Sequence, residues 1–63
     1  MYYNLYIARK EHRMKQAEVA RKLGIHSVTY SRKERCELEF SLNEAFVLSK
    51  LFEVPVEELF EKR

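Results

Sequence analysis

Side chains able to do covalent or metal chemistry are few in this chain of 63 residues. It has one cysteine, Cys36, two histidines, His12 and His26, and no aspartate at all. Zinc sites draw on ligands at i, i+3 or i, i+4 spacing, and His12, His26 and Cys36 form no such pair. A lone cysteine closes no intramolecular disulfide, and its solitary use fits a reducing compartment. No nucleophile stands with a base and no loop is built to cradle phosphates, so neither catalysis nor a metal or cofactor is expected. What the chain does have is unevenly spread charge. Residues 1–35 carry nine Lys/Arg against three Glu, a balance of +6, whereas residues 36–63 carry three against seven, a balance of −4. Such a division suits ion pairing with a polyanion on one side only. Two solvated faces that merely keep the domain soluble would be the plainer reading. The gathering of the cations around one motif, "QAEVARKLGIHSVTYSRKE" from Gln16 to Glu34, favours the polyanion.

That motif needs elements to hold it. A chain this short is one domain at most, spanning 1–63, and it sits near the lower limit for a fold held by a hydrophobic core alone. One glycine and one proline argue against a succession of β-turns and for helices with short connections. Leu5, Ala8 and His12 recur at helical spacing and predict a first helix from Asn4 to about Arg13. Val19, Ala20 and Leu23 form the narrow apolar stripe of a second helix, Gln16–Leu23, which stops at Gly24. Glycine takes φ > 0 without steric cost and suits the position just past a helix end. A third helix starts near Ser27, with Tyr30 as its buried anchor. Ser41-Leu42-Asn43-Glu44 is a capping box opening a fourth helix that runs to about Phe52. Pro55 is tolerated at the start of a last short helix, Val56–Glu61. The expected fold is all-α, with five short helices. No apolar run approaches the roughly 20 residues of a membrane span and no signal-peptide pattern opens the chain, so a soluble cytoplasmic protein without membrane contact is expected.

Two details bear on partners. Lys15 takes the N-cap position of the second helix, where Ser or Thr is usual, and a cation there opposes the helix dipole by a few tenths to about 1 kcal/mol. A phosphate held by the Lys15 ammonium and the Gln16 amide and N–H would offset that cost; sequence drift is the other explanation. The fourth helix is apolar nearly all round. At roughly 100° per residue, Leu42, Ala45, Phe46, Leu48 and Phe52 are expected on the core side, with Val47 and Leu51 nearly opposite Leu42. Val47 and Leu51 would then be covered by the last helix or by a second subunit, and a homodimer through the fourth helix and the C-terminal segment is the economical expectation.

Gln16–Lys33 resembles the helix-turn-helix of the Cro/lambda-repressor-like (XRE-type) transcriptional regulators. The matching residues are Gln16 opening the second helix, small Ala20 in its middle, Gly24 in the turn, and apolar Val19, Leu23, Ile25 and Tyr30. Leu5, Ala8 and Arg9, then "SRKER", then "SLNEA" and "VPVEELF" extend the likeness over nearly the whole chain. The resemblance implies a compact five-helix domain whose third helix enters the major groove of double-stranded DNA. By position, Ser27, Val28 and Arg32 would meet base edges, with His26 at the cap. An arginine can bond guanine O6 and N7 as a bidentate fork, and Val28 could pack on a thymine methyl. Lys15 and Gln16 would meet phosphate. Arg9 and Glu34 match a pair that fixes the recognition helix in many members of the family. Two positions depart from the pattern. Cys36 stands where the family usually has glycine, so the chain there must leave by another route or under strain, and Glu37 and Glu39 stand where phosphate contacts are common. The function implied is a repressor-type regulator binding pseudo-palindromic operator DNA as a homodimer. The alternative from the residues alone is a helical protein-interaction module, an antitoxin or antirepressor masking a partner.

Overall fold

Among the described residues, five helices carry the fold: α1 (Tyr3–Glu11), α2 (Gln16–Leu23), α3 (Ser27–Glu34), α4 (Leu42–Phe52) and α5 (Val56–Leu59). The computed structural model describes residues 1–61 and contains no strand among them; Lys62 and Arg63, two cations counted in the acidic half, lie outside the described residues. No helix among the described residues is long and apolar enough to cross a membrane.

The first four helices end in one way. A residue with positive φ follows each, Arg13 (54°), Gly24 (71°), Cys36 (67°) and Glu53 (57°). The next N–H then reaches back five residues, Met14 to Arg9, Ile25 to Ala20, Glu37 to Arg32 and Val54 to Ser49, at 2.8–3.2 Å. This is the Schellman closure, which satisfies carbonyls that a helix end would otherwise leave bare. It ends α1 two residues earlier than apolar spacing predicts, because Arg13 belongs to the turn. Gly24 serves the backbone and not space, since a Cβ there would meet no atom within 4 Å. Cys36 answers the question of route against strain: the chain keeps glycine's left-handed conformation, at a cost of about 1 kcal/mol for an L-residue.

The residue after each turn matters as much. Met14, Ile25 and Val54 fold back against the core, the apolar contact that usually accompanies this closure. In the α3 turn that position is Glu37, which is exposed.

At helix starts, Ser41 Oγ accepts from the Glu44 N–H (3.1 Å) and Glu44 Oε1 accepts from the Ser41 N–H (2.9 Å), so the capping box is complete. At α2 only half of it forms. Glu18 Oε1 accepts from the Lys15 N–H at 3.0 Å, but an ammonium cannot accept in return.

Leu5 and Ala8 of α1, Val19 and Ala20 of α2, Tyr30 of α3, Leu48 and Phe52 of α4 and Leu59 of α5 meet in one core with Tyr2. Each large aliphatic side chain buried there stabilises the fold by roughly 1.5–3 kcal/mol. Tyr2, Phe40 and Phe60 add an aromatic trio with ring centroids 5.2–5.8 Å apart. On α1 the expected stripe is shifted. His12 is exposed, its edge against Phe52, and Arg9 takes the buried place instead.

The face assigned to α4 needs correction. Ala45, Leu48 and Phe52 do face the core, but Leu42 and Phe46 are 69% and 52% exposed. Leu51 packs against the core, and both it and Val47 are half-buried. Two i, i+4 series overlap in this apolar helix, and the true core direction lies on the Ala45–Phe52 flank, away from Leu42. The exposed apolar patch is therefore Leu42–Phe46 and not Val47–Leu51. It borders a groove of about 370 Å³ lined by Tyr2, Phe40, Ala45, Val56 and Phe60 among others.

Candidate nucleic-acid interface

α2 and α3 share the most extensive contact between helices. Buried Val19 and Ala20 let α3 approach, and Gly24 with Ile25 turns the chain between them. On α3, Tyr30 and Glu34 point inward one turn apart, which places Val28 and Arg32 on the opposite side of the same helix. Both are exposed, Val28 by 60%.

The inward side is fixed by a buried polar network. Arg9 donates from Nε to Glu34 Oε2 (2.9 Å) and from Nη2 to Oε1 (3.1 Å), a bidentate fork, while its Nη1 donates to the Met14 carbonyl (3.0 Å). Tyr30 donates its hydroxyl to Glu34 Oε2 at 2.6 Å, and Gln16 donates its amide to Oε1 at 3.1 Å. Glu34 thus gathers helices α1, α2 and α3 on one carboxylate. Burial alone would raise its pKa, but the bonds from Arg9, Tyr30 and Gln16 hold it below its ordinary 4.5. Burial likewise works against the Arg9 charge, yet Glu34 leaves that guanidinium even more firmly protonated. Burial, and then the Glu34 carboxylate, push the Tyr30 phenol far up. No buried side-chain polar atom among the described residues lacks a partner.

A second strut runs from α3 to α4. Lys33 Nζ meets Glu44 Oε1 at 2.6 Å, on the same carboxylate that caps α4. Partial burial opposes ionisation of Glu44, and the bonds from Lys33 and Ser41 overcome it, leaving its pKa lowered.

At its start, α3 is capped by His26, whose Nδ1 accepts from the Val28 N–H at 3.2 Å. An accepting Nδ1 puts the neutral ring's proton on Nε2. Ser27 is half-buried beside it. Lys15 is exposed at the start of α2, and the Gln16 amide is turned inward to Glu34. At the far end of α3, Glu37 receives two arginines: Arg32 Nε at 3.3 Å and Arg35 Nε at 2.9 Å, all three side chains about half exposed.

The sites named from sequence therefore fall into groups. Arg9 and Glu34 meet, buried. Val28 and Arg32 share the outward side of α3, exposed His26 caps its start, and Lys15 stands at the N-terminus of α2. The Gln16 side chain belongs to the scaffold, and its backbone N–H is what faces the α2 terminus. Sequence reasoning missed Tyr30 and Gln16 as partners of Glu34, the Lys33–Glu44 strut, and the pairing of Glu37. Only the first carried a sequence signal, the i, i+4 spacing of Tyr30 and Glu34.

A family profile described as helix-turn-helix matches residues 5–59. No curated protein and no solved structure matches the chain. The matched span takes in all of α2, the Gly24 turn and α3, with the inward struts and the outward side just described. The chain belongs to the helix-turn-helix family of XRE-type, Cro/CI-like DNA-binding transcriptional regulators, which are not typically enzymes.

Proposed function

We propose that residues 1–63 form a single DNA-binding domain that represses transcription by binding a pseudo-palindromic operator as a homodimer. One observation carries the reading of bases: α3 is braced on its inner side by Glu34 and Lys33 while Val28 and Arg32 stand out from the opposite side. A braced helix reaches the major groove without further ordering cost, and its first turns then meet base edges. In this reading Arg32 forks onto a guanine, Val28 packs on a thymine methyl, and Ser27 and the His26 Nε2–H donate to bases or phosphate. Lys15 and the backbone N–H of Gln16 hold a phosphate at the positive end of α2. Anisotropy titrations with labelled duplex test this. Binding should weaken steeply with salt, and Lys15→Ala should flatten the log–log slope by about one unit for every sequence. Salt-independent binding, or none up to ~100 μM protein, would reject it.

For the dimer, the patch of Leu42 and Phe46 is the better seat. Its occupant is a second copy, since a two-fold contact needs one self-complementary apolar patch, and the patch stands on the acidic half, which need not face phosphates. Two α3 helices must lie about 34 Å apart to enter successive major grooves. Phe46→Glu should give a folded monomer by sedimentation, whereas Leu51→Glu should damage the core instead. A wild type that stays monomeric on a two-half-site duplex would exclude the dimer.

A further inference from the structure

Glu37 stands in the one helix closure of four where the residue folding back is charged. In the other three, Met14, Ile25 and Val54 bury an apolar side chain against the core. Glu37 instead sets its carboxylate between two guanidiniums, with Arg32 Nε 3.3 Å from Oε1 and Arg35 Nε 2.9 Å from Oε2. Arg35 is itself steadied by Ser31, whose hydroxyl oxygen accepts from Nη1 at 2.8 Å.

Stability does not explain this choice. A carboxylate beside the C-terminal end of a helix opposes the helix dipole. Ion pairs this exposed contribute little to folding, because water and salt screen them. What the arrangement does resemble is an occupied anion site. Two guanidiniums each give one bond to a single carboxylate, and such donors also suit phosphate. The Arg35 bond, and after it Arg32, keeps the Glu37 carboxyl below its ordinary range, so it remains an anion near neutrality.

We propose that Glu37 is an internal competitor for DNA: its carboxylate occupies Arg32 and Arg35 in the free protein, and a duplex must displace it to use either arginine. This rests on the reading of α3 as the DNA-contacting helix and adds to it a residue that limits affinity by touching the protein's own arginines. Because the pairs are exposed, the exchange is shallow, and the competitor tunes binding without blocking it.

Duplex titrations of wild type, Glu37→Gln, Arg32→Ala/Arg35→Ala and the triple variant test the proposal. At about 0.1 M salt, Glu37→Gln should tighten binding to a random duplex by roughly threefold to tenfold and steepen the salt slope by about one unit. In the background lacking both arginines the same change should do almost nothing. An equal gain in both backgrounds would mean plain removal of a negative charge, and would overturn the competitor role while leaving the DNA reading intact. No gain in either background would overturn it as well. Absence of duplex binding by every variant, with helical circular dichroism retained, would overturn the DNA reading and the competitor with it. The free protein gives an independent readout: the side-chain N–H resonances of Arg32 and Arg35 should shift on Glu37→Gln, and unchanged resonances would show that the pairs do not form.

Discussion

Two arginine–glutamate arrangements meet on α3, and they serve opposite ends. Arg9–Glu34 is buried, bidentate and completed by Tyr30 and Gln16. Arg32–Glu37–Arg35 is half exposed, with one bond from each arginine. The chemistry is the same and the surroundings differ. In the buried case, removing either partner strands a charge away from water, so the network holds one geometry. In the exposed case water replaces a lost partner at little cost, so the pairing can be traded for another anion. Burial therefore decides which arginine is scaffold and which is available to a ligand. One short helix uses both, with Glu34 inside and Arg32 outside.

The largest effects are expected at the buried pair. Arg9→Ala or Glu34→Ala should each cost about 3–5 kcal/mol, enough to unfold much of a small domain at room temperature. Replacing both with apolar residues should recover much of that loss. Arg32→Ala or Glu37→Gln should leave the thermal midpoint nearly unchanged. Melting curves of the four single variants check the contrast, and equal losses on both sides would contradict it.

Acid offers a gentler test. Glu34 ionises below its ordinary 4.5 in the fold, so its contribution is complete above that value and is lost as pH falls through the folded pKa. Glu44 shifts in the same direction. The thermal midpoint should hold from neutrality down to about pH 4.5 and then fall; a level midpoint at pH 3 would deny the network its charge. At the other extreme, Tyr30 is raised above its ordinary 10.0, so its contribution is complete below that pH and is lost as pH climbs through the folded value.

The smallest effect is expected at the turn beneath the exposed arrangement. Cys36 holds φ +67°, so Cys36→Gly should stabilise the fold by about 1 kcal/mol, a rise of roughly 4–8 °C in midpoint. The gain is reduced by the greater freedom of glycine in the unfolded chain. A lower midpoint would show that the sulfur contributes packing.

How much of this was legible in the chain depended on whether a residue type announces its conformation. Gly24 announced its turn, and Ser41 with Glu44 announced the start of α4. Arg13, Cys36 and Glu53 close helices in the same conformation as Gly24, but nothing in their side chains requires it, so α1 reads two residues too long. Tyr30 read as a buried anchor, and Glu34 read only as one half of a pair that the resemblance implies. The face of α4 did not read correctly, because apolar residues on two flanks give no contrast and only packing chose between them. Glu37 read only as a departure at a position where phosphate contacts are common; its double pairing depends on the turn at Cys36, which folds the chain back onto α3.

In the proposed function the outward side of α3 reads sequence, with Arg32 as its most specific residue. Selection of bound sites from a random duplex pool, run in parallel on wild type and Arg32→Ala, tests it directly. Wild type should enrich a two-fold symmetric site with half-sites about one helical turn apart. Arg32→Ala should bind that site about 1–3 kcal/mol more weakly and lose its preference at one base pair per half-site, most naturally a guanine. An unenriched pool, or an Arg32→Ala variant that selects the wild-type sequence unchanged, would contradict the account.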